Sequence, residues 1–201
     1  MMGPSRAVVP QALCRPMMPY ESFHDWVLVA ALASPHFLYA FIWFFPKTWQ
    51  RAFGKGAVDA FAFSGVVGKL VQFQAVALWF WISQPNGLCL DLSAITLTQW
   101  LGFLLLGAVG QALNAGIYHA IGTAGVYYGF KLGKKIPWHS GFPFNVVSHP
   151  QYVGSALTVW AFAIVLAGQV KAASLAANPV VWVATYWTGL YIVTGIQEQY
   201  F

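Results

Sequence analysis

Apolar runs recur along the chain at a length that suits a bilayer better than a soluble core. The first extends from Trp26 to Phe45 and contains Pro35. The second extends from Val58 to Ile82, the third from Thr98 to Ile121, the fourth from Tyr152 to Gly168 and the fifth from Pro179 to about Gln197. A bilayer core is crossed by about 20 apolar helical residues, with a range of roughly 17–25. The pattern predicts an all-α integral membrane protein, a bundle of four to five transmembrane helices whose last two form a helical hairpin. The first run is the ambiguous one. Pro35 removes a backbone donor and favours a kink, so a re-entrant or in-plane segment is the alternative to a span. Residues 1–25, with Pro4, Pro10, Pro16 and Pro19, are expected to be irregular, without the apolar stretch of a secretory signal. Residues 26–201 then form a single membrane-embedded domain.

Composition narrows the classes further. Residues of the set AVILMFWYC make up 59% of the 201 positions and DEKR only 7%, with 10 Trp, 9 Tyr and 16 Phe. A soluble domain carries about 25% charged residues. So few charges cannot cover a soluble surface, which excludes a cytosolic enzyme, a nucleic-acid-binding domain and a disordered linker. The formal net charge of +5 reflects loop placement. Lys47, Arg51 and Lys55 lie between the first two runs, none between the next two, Lys131, Lys134 and Lys135 in the long connection 122–151, and Lys171 in the last. The positive-inside rule puts loops 46–57 and 122–151, and with them the C-terminus, on the cytosolic side. Cys14 and Cys89 match no metal or redox spacing, and no metal is expected.

Polar residues at membrane depth are functional candidates by default. Gly107, Gly110, Gln111, Asn114 and Tyr118 share one helical face of the third run. That face suits either a bound ligand approaching the backbone or helix packing through small residues, with amides as interhelical glue. Tyr191, Thr194 and Glu198 share a face of the fifth, where the carboxylate is either a ligand for a cation or an interfacial anchor. Lys69, with Gln72 and Gln74 nearby, requires a polar cavity or a snorkelling path. In the long connection, His149 precedes Pro150, which can open a helix at its first position. His149 is thereby held at a helix mouth at the membrane surface, with Tyr152 and Gly154 entering the helix behind it.

Two stretches, AIGTAGVYYGFKLG from Ala120 to Gly133 and FPFNVVSHPQYVGS from Phe142 to Ser155, resemble the phospholipid N-methyltransferase family. Tyr191-Ile192-Val193 followed by Glu198 is similar to the family's C-terminal end. The resemblance covers roughly residues 20–201. It implies an S-adenosylmethionine-dependent enzyme, multi-pass in the endoplasmic reticulum membrane; Arg6 and Arg15, with no acid before Glu21, leave a mitochondrial membrane as the alternative. The enzyme's substrate would be a phosphatidylethanolamine derivative held in the lipid bilayer, methylated on the way to phosphatidylcholine. The family's cofactor elements are a Gly-x-Gly in the third apolar run and a Glu-Glu pair at the end of the last. Here these read Ala108-Val109-Gly110, preceded by Gly107, and Glu198-Gln199, so Ala108 and Gln199 depart from the pattern. With Asn114 these residues form the expected cofactor set. The short form QYVGS at 151–155 points to monomethyl and dimethyl acceptors.

Methyl transfer from a sulfonium to an amine needs donor and acceptor held in line and a route for the ammonium's proton. His149 or Glu198 is expected to take that proton, with Glu198 also competing for the donor. Tyr152 and Tyr118 suit cation–π contact with a sulfonium or ammonium. Lys131, Lys134 and Lys135 would attract the lipid phosphate or simply set topology. Two rival readings remain from the sequence. Isoprenylcysteine carboxyl methyltransferases share an HPxYxG element but carry Arg where Ser148 stands. A catalytically inactive membrane scaffold of the same fold is the other.

Overall fold

The computed structural model describes residues 23–82, 90–137, 139–170 and 172–200. Cys14, Cys89, Lys171 and most of the expected irregular N-terminal segment lie outside them. The described residues form helices and connections only. Six α-helices follow in order: α1 (Phe23–Phe44), α2 (Pro46–Phe53), α3 (Ala57–Ile82), α4 (Leu97–Val126), α5 (Pro150–Ala167) and α6 (Pro179–Tyr200).

α1 bears on two expectations. It begins at Phe23, inside the stretch expected to be irregular, and it runs unbroken through Pro35. Its 22 residues span about 33 Å at ~1.5 Å each. It therefore joins α3 to α6 as one of five helical segments long and apolar enough to cross a membrane. The reason is local hydrogen bonding. Pro35 cannot donate to the Ala31 carbonyl, and Ser34 Oγ donates to that oxygen instead at 3.0 Å. Gln72 Nε2 donates to the next carbonyl, Leu32 O, at 2.7 Å. Side chains that re-satisfy freed backbone groups are what make proline tolerable in a spanning helix. At the start of the helix, buried Asp25 accepts from Trp79 Nε1 at 2.7 Å, tying α1 to α3.

The basic stretch 46–57 is also more ordered than a plain loop. Pro46 occupies the first turn of α2, and a 3₁₀ turn over Gly54–Gly56 leads into α3. α4 opens on a capping box in which the Thr96 and Gln99 side chains bond each other's backbone. It breaks at Gly122, whose φ of 63° is left-handed, one residue past the expected end at Ile121. A last turn then delivers the chain to Tyr127 and Tyr128.

Between apolar helices in lipid, burial of apolar area gives little driving force, so association rests on close packing. α4 and α5 meet at two glycines. A Cβ on Gly110 would lie 2.6 Å from the Gly154 carbonyl oxygen, and one on Gly154 would lie 2.6 Å from that of Gly110. α5 and α6 form the expected hairpin, held by Asn178 Nδ2 to Ala167 O at 2.9 Å and Trp160 Nε1 to Thr188 Oγ1 at 3.0 Å. α1 packs on α3 and α6. One buried cluster, with Leu32, Trp79, Val183 and Trp187, joins α1, α3, α5 and α6. A second, with Ile42, Phe61, Ile117 and Tyr128, gathers around the chain after α4. Five spans place α2, the connection 127–149 and the end of α6 at one end of the bundle. This is the grouping the loop charges predict.

Candidate functional site

The side chains around Glu198 assemble at that basic end. Glu198, in the last turn of α6, accepts from the hydroxyls of Tyr128 and Tyr152 through one oxygen. The two phenols lie 3.3 Å apart, oxygen to oxygen. His149 Nδ1 stands 3.8 Å from the other oxygen, Oε2, with the side chains of His149 and Glu198 30% and 16% exposed. This is beyond hydrogen-bond reach but close enough for charge to be felt. The imidazole stacks on the Tyr152 ring at 6.0 Å, inclined by 22°. Pro150 opens α5 as anticipated, leaving His149 at the N-cap position and Tyr152 in the first turn.

Tyr128 is a member of this group that spacing did not single out. Its φ of 50° is unusual for a residue with a Cβ, a conformation that costs of order 1 kcal/mol. Buried packing offsets it: the ring lies against Trp43, Tyr39 and Phe61 at 5.2, 5.5 and 5.4 Å. Burial, and next the charge and hydrogen bond of Glu198, push the Tyr128 hydroxyl far above the ordinary phenol range. It stays a neutral donor to the carboxylate. The one signal in the sequence was its place in the quoted stretch 120–133. Lys131 lies at the margin, with Nζ 3.5 Å from the Trp43 ring centroid and 3.3 Å from the Trp43 carbonyl oxygen. Desolvation lowers its ammonium from the usual range, while nearby Glu198 opposes the shift.

A cavity of about 290 Å³ opens over this group, lined by Trp43, Gly125, Tyr128, His149, Tyr152 and Glu198 among others. A second, of about 240 Å³, lies deeper between the spans and includes His36, Lys69, Gln72, Asn114, Tyr118 and Tyr191. Gln151 and Tyr152 line both and form the partition. A carboxylate ringed by aromatic faces at the mouth, with an amide-lined chamber behind it, can hold an organic cation and present it to a group entering from the membrane.

The expected residues separate accordingly. His149, Tyr152 and Glu198 come together. Asn114 lines the inner cavity, and Gln111, which donates to Thr158 Oγ1 at 2.9 Å, lines it too. Gly107 and Gly110 face α5, while Ala108, Val109 and Gln199 are exposed on outer surfaces and line neither cavity. Lys134 and Lys135 are exposed beyond the mouth. Besides Tyr128, the residues that spacing missed are His36, Tyr39, Tyr127, Gln151 and Thr158. They lie on three different segments, and only the fold gathers them. Among the described residues no group of three or more His, Cys, Asp or Glu is placed to hold a metal.

Residues 97–193 match a family model described as phospholipid methyltransferase, which bears out the resemblance read from the sequence over that stretch. The chain is also 45% identical over 75 residues to phosphatidyl-N-methylethanolamine N-methyltransferase of Arabidopsis thaliana. That alignment covers 36% of this chain and 46% of the relative, so the chain spans about half the length of the relative it matches. No solved structure matches.

Proposed function

Starting from the match of residues 97–193 to the phospholipid methyltransferase family, we propose that this chain is a membrane enzyme that methylates the amine of phosphatidylethanolamine derivatives, with S-adenosylmethionine as donor. The monomethyl and dimethyl lipids are the favoured acceptors, and phosphatidylcholine is the product. The observation that carries the reading is the joining of the His149–Tyr152–Tyr128–Glu198 group to an intramembrane cavity through a shared wall.

The residues of the outer cavity fit a sulfonium donor. Glu198 supplies the opposite charge, and Trp43, Tyr128 and Tyr152 supply π faces. Bound there, the donor brings an electrophilic methyl carbon. The amine's lone pair forms the new N–C bond as the C–S bond breaks and its electron pair remains on sulfur. Before that, the lipid ammonium must lose a proton. His149 is the base: Nδ1 faces Glu198, Nε2 is left to take the proton, and the partly exposed ring passes it to water at the basic end. Glu198 turns its second oxygen toward the imidazole. Holding donor and acceptor in line is worth up to about 7–11 kcal/mol of barrier. The positive-inside rule turns this mouth to the cytosol, and residence in the endoplasmic reticulum accords with the resemblance.

The same group disfavours a prenylcysteine carboxylate as acceptor, since that anion would approach the carboxylate of Glu198. The test is methyl incorporation from labelled S-adenosylmethionine in membranes expressing the chain. Unmethylated, monomethyl and dimethyl phosphatidylethanolamine and a prenylcysteine are offered in parallel. Label in the monomethyl and dimethyl lipids is expected. Label confined to the prenylcysteine, or none with folded protein present, overturns the reading.

A further inference from the structure

Lys69 lies near the middle of α3, half-buried, with its ammonium on the inner cavity. It donates to the Tyr191 hydroxyl, and Nζ is 4.6 Å from the centroid of that ring. Both interactions are with a neutral partner. The titratable groups that face it from the surrounding segments are His36 and Tyr39 on α1, Tyr118 on α4, Tyr127, Tyr152 on α5 and Tyr191 on α6. No carboxylate among the described residues lines the cavity. Of the described carboxylates, Glu198 is engaged by two phenols, Asp25 accepts from Trp79, Asp91 is held by Ser93 in the connection at the opposite end, and Asp59 stands exposed in the first turn of α3. A cation at membrane depth without a counter-charge is costly, and the missing charge here is an anion.

The surroundings indicate which anion. The inner cavity stands between two others. On one side it shares Gln151 and Tyr152 with the proposed methyl-transfer site. On the other it shares Phe73, Val159 and Trp187 with a cavity of about 370 Å³, whose lining, from Phe80, Phe162, Leu166 and Val183 among others, is apolar. Along α5 the succession runs from Tyr152 through Val159 to Leu166, a rise of about 10 and then 21 Å at ~1.5 Å per residue. Phe73 and Tyr118 stay exposed on the outer surface, so the inner cavity is bordered by the lipid-facing wall. Amine chemistry, cation and apolar groove thus follow one another in the order amine, phosphate and acyl chain along a phospholipid. In such a lipid only an ethylene and an ester oxygen separate nitrogen from phosphorus. Lys69 is placed correspondingly close, because its Tyr191 ring stacks on Tyr152 at 6.1 Å.

We propose that Lys69 is a substrate-positioning residue: its ammonium pairs with the phosphodiester of the acceptor lipid in the inner cavity, and the acyl chains run into the apolar cavity beyond the packed rings of Phe73 and Trp187. This rests on the methyltransferase reading for the identity of the substrate. It also makes Lys69 a source of specificity, selecting amines that carry an anionic linker.

The experiment compares the wild type with Lys69→Met and Lys69→Arg, each as the full chain in nanodiscs. Acceptors are monomethyl phosphatidylethanolamine and an analogue with the same diacylglycerol and amine joined by an uncharged carbonate. For Lys69→Met we expect KM for the phospholipid to rise at least tenfold with a smaller change in kcat, while donor Kd is unchanged. Lys69→Arg should recover most of the loss, and the wild-type advantage should vanish on the carbonate. A fall in donor affinity with an unchanged lipid KM would assign the anion to the donor's carboxylate and overturn the proposal. So would equal loss on both acceptors. A parallel binding arm counts monomethyl phosphatidylethanolamine retained per protein by native mass spectrometry. Weaker retention by Lys69→Met supports the subsite even if the wild type transfers no methyl group, which would overturn the methyltransferase reading alone. Equal retention overturns the subsite.

Discussion

At the residue scale the candidate chemistry rests on one carboxylate and one imidazole. Glu198 spends one oxygen on two phenols and turns the other to His149. Positioned acid–base groups contribute typically 10²–10⁴-fold. His149→Ala is therefore expected to lower turnover by about two orders of magnitude or more while expression and folding are kept. Near-normal turnover in that variant removes His149 from the mechanism. Glu198→Gln keeps the shape but loses the charge. It is expected to weaken donor binding much more than lipid binding, read as separate dissociation constants, and comparable losses for both would show that the carboxylate is not the donor's counter-charge. Tyr128 shows why this set is only partly legible along the chain. Its role depends on a left-handed backbone and on rings from α1 and α3, none of which has a local signature.

Helix packing decides the roles of several residues at the element scale. Gly107 and Gly110 belong to a small-residue face that reads equally as a ligand contact or a packing surface. The 2.6 Å approach that a Gly110 Cβ would make to the Gly154 carbonyl favours packing. Overpacking of this kind costs about 1–3 kcal/mol. Gly110→Ala should thus lower the unfolding temperature in detergent and leave the donor's affinity in the remaining folded protein near that of the wild type. Loss of donor affinity at unchanged stability would instead return Gly110 to the cofactor set. In α1, Ser34 is a small device with a clear consequence. It serves the carbonyl that Pro35 leaves without its helical donor. Ser34→Ala is expected to destabilise the protein by about 1 kcal/mol, measurable by chemical denaturation, and an unchanged midpoint would mean that Pro35 is accommodated by packing alone.

For the whole molecule, five spans fix which connections share a side. α2, the connection 127–149 and the end of α6 meet at one end, and the connection carrying Asp91 and Ser93 lies at the other. Single-cysteine reporters at Ser93 and Lys134, made in a chain without its own cysteines, should react with an impermeant maleimide from opposite sides of sealed vesicles. Reaction from the same side would remove one span, and α1 would be the first to reconsider. On the proposed reading, this arrangement puts the donor at the polar mouth and the acceptor inside the bundle, so the lipid need not leave the bilayer.

The sequence by itself determined that this is a helical membrane protein, because spans of this length with 7% charged residues have no other way to satisfy their backbones. It also determined which end of the bundle carries the basic loops, and that His149, Tyr152 and Glu198 are the residues to examine, because rare polar groups in an apolar chain stand out. Whether α1 runs unbroken through Pro35, which face of α4 meets a neighbour and which residues line each cavity were decided only by the tertiary structure. Those outcomes depend on contacts between positions far apart in the chain. Gln72 reaches Leu32, Tyr128 reaches Glu198 and Lys69 reaches Tyr191. No periodicity or spacing encodes a meeting of that kind.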